Sequence, residues 1–309
     1  MTTRLFGRSW YVSIGDVEIT DLDIEFSVFK SIKREPNKCS LKVFGLSEAT
    51  RQRIESQLDY VTTSRTVPKP PGSATTGNEP QTTRIETRSL RAGRPWIELK
   101  AGYGPTPNTL FFGQTGAQGI VTQADGVDVA MLIEAKDGGE SYQRARINQS
   151  FAAGSTVEDV LRASVSALGI GEGNLSDFAT NLALTNGTTQ FVTGYTASGP
   201  ARDTVDSIIR GAGLRWAIQN GVLTIRRRGQ PLQVEAVLLS PETGLIGSPT
   251  VDPQGIVTAV CLIQTGIDPG RKVHLKSRQF DGGYQVRSVT YTGSTTEEDW
   301  TATLTLVKY

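Results

Sequence analysis

The sequence predicts a mainly β protein with a mixed centre: two small β domains, 1–148 as a barrel or sandwich and 231–309 as a small barrel, flanking an α/β intermediate domain, 149–230. Three observations predict it. Apolar and polar residues alternate in short runs through the first and last thirds, the period of strands with one buried face. The middle of the chain switches to the period of amphipathic helices. Glycine, at 33 of 309 residues, supplies frequent turns. A chain of this length is expected to hold about two or three domains.

Residues 9–19 read as a hairpin turning at Gly15-Asp16, with Trp10, Val12, Ile14, Val17 and Ile19 apolar. Ile24, Phe26 and Val28 then alternate with Glu25, Ser27 and Phe29, and a charged turn follows that ends in Pro36-Asn37. Leu41 and Val43 share one face of a second strand, after which Ser47 stands where it can cap a helix beginning at Glu48. Residues 61–88, with Pro68, Pro70 and Pro71, hold little that can enter a core and read as a long inserted loop. Its plainer reading is a solvated loop, its functional one an arm laid on a neighbouring subunit. Strands resume at Trp96, continue through 110–113 and 119–121, and turn at Asp125-Gly126 into 127–135. Six or more strands with one helix suffice for a small barrel or sandwich.

In the middle, Ser155 with Glu158 three positions on forms a capping box, and Val157, Val160, Leu161, Val165 and Leu168 make one stripe ended by Gly169. A second helix begins at Pro200, turns Val205, Ile208 and Ile209 inward and stops at Gly211-Ala212-Gly213. Asn220-Gly221 is the strongest hairpin signal of the chain. It sets Trp216 opposite Ile225 and Ile218 opposite Leu223, one apolar face that covers both helices. Beyond 231, four alternating strands with turns at Pro269-Gly270 and Gly282-Gly283 make the second β domain.

Little here suggests chemistry. The single histidine, His274, alternates onto the same exposed face as Lys272 and Lys276, so a His/Cys zinc site or a Ser-His-Asp triad lacks its parts. Cys39 and Cys261 read as two buried free thiols within strands. Residues 169–174 are glycine-rich, yet they follow a helix and lack the Lys-Ser/Thr of a phosphate-binding loop, so they read as a helix stop. No cofactor, metal or catalytic residue is expected. The net charge of +1 predicts no bulk attraction to nucleic acid or membrane. With no signal-peptide core and no run of about 20 apolar residues, the chain is expected to be made soluble inside a cell. Arg226-Arg227-Arg228 closes a strand: a solvated end in the plainer reading, a contact for an acidic partner or phosphate in the other. The candidate interface residues are therefore Arg226, Arg227, Arg228, Pro68, Pro70 and Pro71.

Phe29-Lys30-Ser31-Ile32-Lys33, then Glu35-Pro36-Asn37, then Leu41-Lys42-Val43-Phe44-Gly45-Leu46-Ser47 closely resembles the opening of hub proteins from the baseplates of tailed bacteriophages. Gly194-Tyr195-Thr196-Ala197-Ser198-Gly199-Pro200 and Trp216-Ala217-Ile218-Gln219-Asn220-Gly221 look like that family's intermediate domain, and Ile267-Asp268-Pro269-Gly270-Arg271 with its following strands extends the resemblance to the third region. Residues 61–88 lie outside it. The resemblance implies a non-enzymatic structural protein: a homotrimeric ring whose two barrels per subunit join a sixfold tail tube, or a distal tube-initiator protein, to a threefold central spike. It implies other baseplate proteins as neighbours, and a place in the virion after assembly in the host cytoplasm. The competing class is a cell-wall glycan-binding or peptidoglycan-degrading tail module. Against it stand the missing acid/base pair and the position of Trp10, Trp96, Trp216 and Trp300 in or beside apolar strands.

Overall fold

The computed structural model describes residues 7–57, 60–68, 82–90, 94–125, 128–183, 189–264 and 266–309. The first region contains β1 (Arg8–Ile14), β2 (Val17–Ile19), β3 (Ile24–Ser31), β4 (Lys38–Phe44), α1 (Glu48–Ser56), β5 (Tyr60–Pro68), β6 (Thr82–Leu90), β7 (Trp96–Tyr103), β8 (Asn108–Asp125) and β9 (Asp128–Lys136). The middle holds α2 (Ser141–Arg144), β10 (Arg146–Phe151), α3 (Val157–Leu168), α4 (Phe178–Ala183), β11 (Tyr195–Pro200), α5 (Ala201–Gly211), β12 (Leu214–Gln219) and β13 (Val222–Arg227). The last region adds β14 (Val237–Leu239), β15 (Leu245–Val251), β16 (Val257–Leu262), β17 (Lys272–Lys276), β18 (Asp281–Ser294) and β19 (Trp300–Lys308).

The chain is mainly β, as the alternation predicts, and its two β regions are hydrogen-bonded to each other. They form one 13-stranded sheet in the order β15-β16-β19-β18-β3-β4-β9-β8-β7-β1-β2, with β17 on β18 and β14 on β17. No closed ring of strands forms among the described residues. The join is β3 against β18, antiparallel from Ser31 opposite Ser288 to Glu25 opposite Ser294. One apolar core runs beneath both regions, and across the join Phe26 meets Trp300 edge-on at 5.2 Å. Such a contact is favourable beyond its buried area. Periodicity names the buried face of a strand and is silent about its neighbour, so it carries no sign of the β3–β18 pairing.

Other expectations need correction in detail. Where a loop over 61–88 was expected, β5 and β6 pair as an antiparallel hairpin, Tyr60 opposite Leu90 and Pro68 opposite Thr82. Helix α3 is capped by Thr156, not Ser155: its hydroxyl accepts the Asp159 N–H at 3.1 Å while the Asp159 carboxylate accepts the Thr156 N–H at 3.2 Å. Pro200 precedes α5 and ends β11. Gly282-Gly283 lies inside β18, paired with Leu275 and His274 of β17. The hairpin of β12 and β13 has the expected register, Trp216 opposite Ile225 and Ile218 opposite Leu223, and all four side chains are buried in a second core with α3 and α5. The turn at Asp125-Gly126 falls partly outside the described residues, although β8 and β9 pair up to Asp125 opposite Asp128.

Candidate functional site

The three regions meet at a buried polar node. Period two places Ile24, Phe26 and Val28 on the buried face of β3, and the next position in phase is Lys30. A lysine there must find partners, because an uncompensated buried charge is costly. Lys30 is 0% exposed, and its Nζ donates to Asp268 Oδ1 at 2.6 Å and to Asn220 Oδ1 at 3.0 Å. Asn220 belongs to the tip of the β12–β13 hairpin, and Asp268 precedes β17, so one ammonium ties all three regions together.

A second layer fixes that tip. Asp137, buried just past β9, accepts the backbone N–H groups of Asn220 at 2.8 Å and Gly221 at 2.7 Å. Asn37 donates through Nδ2 to Asp137 Oδ2 and to the Ile218 carbonyl, while its Oδ1 accepts the Ser31 N–H. Gln219 Nε2 returns to the Ser31 carbonyl at 2.8 Å. Burial pushes the Asp137 carboxyl above the usual range, against the pull of these donors and of Lys30. None of Lys30, Asn37, Asp137 and Gln219 leaves a buried side-chain polar atom without a partner. The node is a joint: its groups hold one another.

In the sequence, residues 30–37 read as a charged turn, and that reading does not reach this node. Lys30 continuing the Ile24, Phe26, Val28 series was the signal that could have found it.

The predicted interface residues are distributed differently. Arg226 is half-buried, its Nη2 donating to the Ile32 carbonyl at 3.1 Å, and burial together with Arg215 holds its pKa below the arginine norm. Arg227 is half-buried and Arg228 exposed. Arg226 and Arg227 both line a cavity of about 480 Å³ with Asn174, Asp177 and Gln230. Pro68 ends β5, and Pro70 and Pro71 lie outside the described residues.

The glycine-rich segment 169–174 serves structure. Gly169 is the left-handed C-cap of α3, and Gly171 exchanges backbone hydrogen bonds with Gly221 and Leu223, both 2.8 Å. His274 is exposed and pairs with Asp281 at 2.9 Å. Among the described residues no group of three or more His, Cys, Asp or Glu is placed to hold a metal, and no helix is long and apolar enough to cross a membrane. Trp300 and Trp216 are buried, and Trp96 stacks on Phe112 at 4.9 Å.

The family model for baseplate hub gp41 matches residues 11–305. Among solved structures, the 43 kDa tail protein of prophage MuSo2 from Shewanella oneidensis is similar with a TM-score of 0.57 at 9% identity, covering 97% of this chain and 98% of that one. The tail protein from Neisseria meningitidis MC58 is similar with a TM-score of 0.58 at 9% identity, covering 97% and 96%. At these identities the likeness is one of fold. No curated protein matches.

Proposed function

The chain belongs to the baseplate hub gp41 family, a structural part of the phage tail, and from that premise we propose that it is a homotrimeric adaptor joining a sixfold tail tube to a threefold central spike. The observation that carries the reading is the reach of the family match, residues 11–305, across all three regions. The architecture supports it in one respect. An adaptor between unequal symmetries needs its β regions held at a set angle, and here a continuous sheet and the Lys30 node hold them. Tube, tube-initiator and spike proteins are its proposed partners, and the virion baseplate its proposed location.

The test is the mass of the purified chain in solution, alone and with the spike protein, joined to electron micrographs of the particles. Threefold rings are expected. A chain that stays monomeric even with the spike would overturn the reading. Clearing of peptidoglycan by the purified chain would favour the glycan-degrading alternative, for which no acid/base pair is assembled around the node.

A further inference from the structure

A groove of about 370 Å³ opens where α5, the β12–β13 hairpin, the β3–β4 turn and β18 come together. Its cations are Lys33, Arg34, Arg210, Arg215, Arg226 and Arg287. One of its two acids, Asp206, is already engaged, with Arg34 Nη1 and Arg210 Nε each at 2.9 Å and the Trp216 indole N–H at 3.1 Å. A neighbouring concavity shares the other acid, Glu35, and adds Lys38, Lys136 and Arg202. Lys38 and Lys136 stand directly opposite each other on β4 and β9, a like-charge pairing that costs stability unless an anion offsets it. Among the described residues, nine cations thus line the two concavities with two carboxylates, Asp203 standing 3.5 Å from Arg202 as a third, on a chain whose net charge is +1.

The missing negative charge is at the far end of β18. The turn after Ser294 carries Glu297, Glu298 and Asp299, all exposed, and Glu25, paired with Lys42 at 3.8 Å, lines the same shallow surface. Its backbone is clamped: Arg8 donates to the carbonyls of Ser294 at 3.2 Å, Glu297 at 2.7 Å and Glu298 at 2.6 Å. The carboxylates are therefore presented on a held loop. From Arg287 to Ser294 along β18 is roughly 23 Å at a strand rise of about 3.3 Å, so the two patches of one chain cannot touch.

We infer that the basic groove receives the Glu297-Glu298-Asp299 turn of a second copy of this chain. Guanidinium forks suit carboxylates, so an acidic protein segment fits this groove. Because the two patches differ, the contact is head-to-tail, the kind that closes into a ring when its rotation permits. The inference rests on the trimer proposed above and names the surfaces that build it.

Charge reversal tests it on the full chain, by sedimentation and light scattering with the spike protein absent and present. Wild-type trimers should loosen as salt rises. Arg287→Glu or Glu298→Arg alone should weaken association by at least about tenfold, and the two together in one chain should restore it. Both positions are exposed, and unchanged circular dichroism of the variants shows that folding is intact. Trimers undisturbed by either single reversal overturn this contact and leave the trimer reading standing. A double variant no better than the singles overturns the pairing as well, whereas a wild type monomeric under both conditions overturns contact and trimer together.

Discussion

Lys30 and Asp268 lie 238 positions apart in the chain, yet the ammonium and the carboxylate meet at 2.6 Å, and they are unequally shielded. The Lys30 side chain is 0% exposed and that of Asp268 35%. Removing the lysine leaves a carboxylate that water can reach; removing the carboxylate leaves a charge that water cannot. Asp268→Ala is therefore expected to destabilise by about 3 kcal/mol, and Lys30→Met, which keeps the volume, by about 1–2 kcal/mol. Denaturant titration of both variants decides it, and the opposite ranking would show that burial of the ammonium does not govern the joint.

Asp137 makes the joint sensitive to pH. Burial raises its carboxyl pKa in the folded state, so the native chain holds the proton more tightly than the unfolded one. Its contribution to stability is full below the unfolded value of about 3.9 and is lost as pH rises through the higher folded value. Glu48, Asp159 and Glu242 are held low by hydrogen bonds from Arg51, Thr156 and Ser240, and act in the opposite sense, fading as pH falls. Comparison with Asp137→Asn isolates the one group: the stability advantage of the wild type should shrink between about pH 3 and about pH 7. An advantage that grows over that interval would mean that the N–H donors of Asn220 and Gly221 outweigh burial.

The two thiols should be silent in the native state. Cys39 is 1% exposed and Cys261 0%, and burial pushes the first thiol well up and the second to about 12. The thiolate is the reactive form. Iodoacetamide at neutral pH is expected to leave both unmodified by mass spectrometry, and to label both once the chain is unfolded. Labelling of either in the folded protein would contradict the continuous core beneath the sheet.

What the sequence disclosed was which side of each element is buried. Ile24, Phe26 and Val28, and the facing pairs of the Asn220-Gly221 hairpin, needed only period two and a turn rule. Which strand lies beside which was not legible, because β3 takes its neighbour β18 from the other end of the chain and local pattern carries no such address. Closure of a barrel depends on tilt and stagger, which no single strand encodes. The β5–β6 hairpin was legible in principle: Thr62, Thr63, Thr66 and Val67 and then Thr82, Thr83, Ile85 and Thr87 are β-favouring residues that the prolines between them masked. Of the candidate interface, Arg226 lines a groove, but the acidic turn Glu297-Glu298-Asp299 proposed as its counterpart belongs to no motif. It is visible only once Arg8 is seen holding that turn.

Gly173 shows how tightly the intermediate region closes on its hairpin. Its φ is +55°, and a Cβ built there would lie 1.7 Å from the Leu223 carbonyl oxygen, a backbone atom that cannot step aside. The next residue locks the distance: Asn174 Oδ1 accepts the Ile225 N–H at 2.7 Å and its Nδ2 donates to the Ile225 carbonyl at 2.8 Å. Moving the loop away would break both bonds. Gly154, at φ +86° with nothing within 4 Å, provides the control for backbone conformation alone. Gly154→Ala should cost about 1–2 kcal/mol, and Gly173→Ala clearly more, about 3 kcal/mol or above. Thermal unfolding of the two variants measures the difference. Equal losses would mean that the left-handed backbone, and not the approach of Leu223, is what requires glycine at position 173.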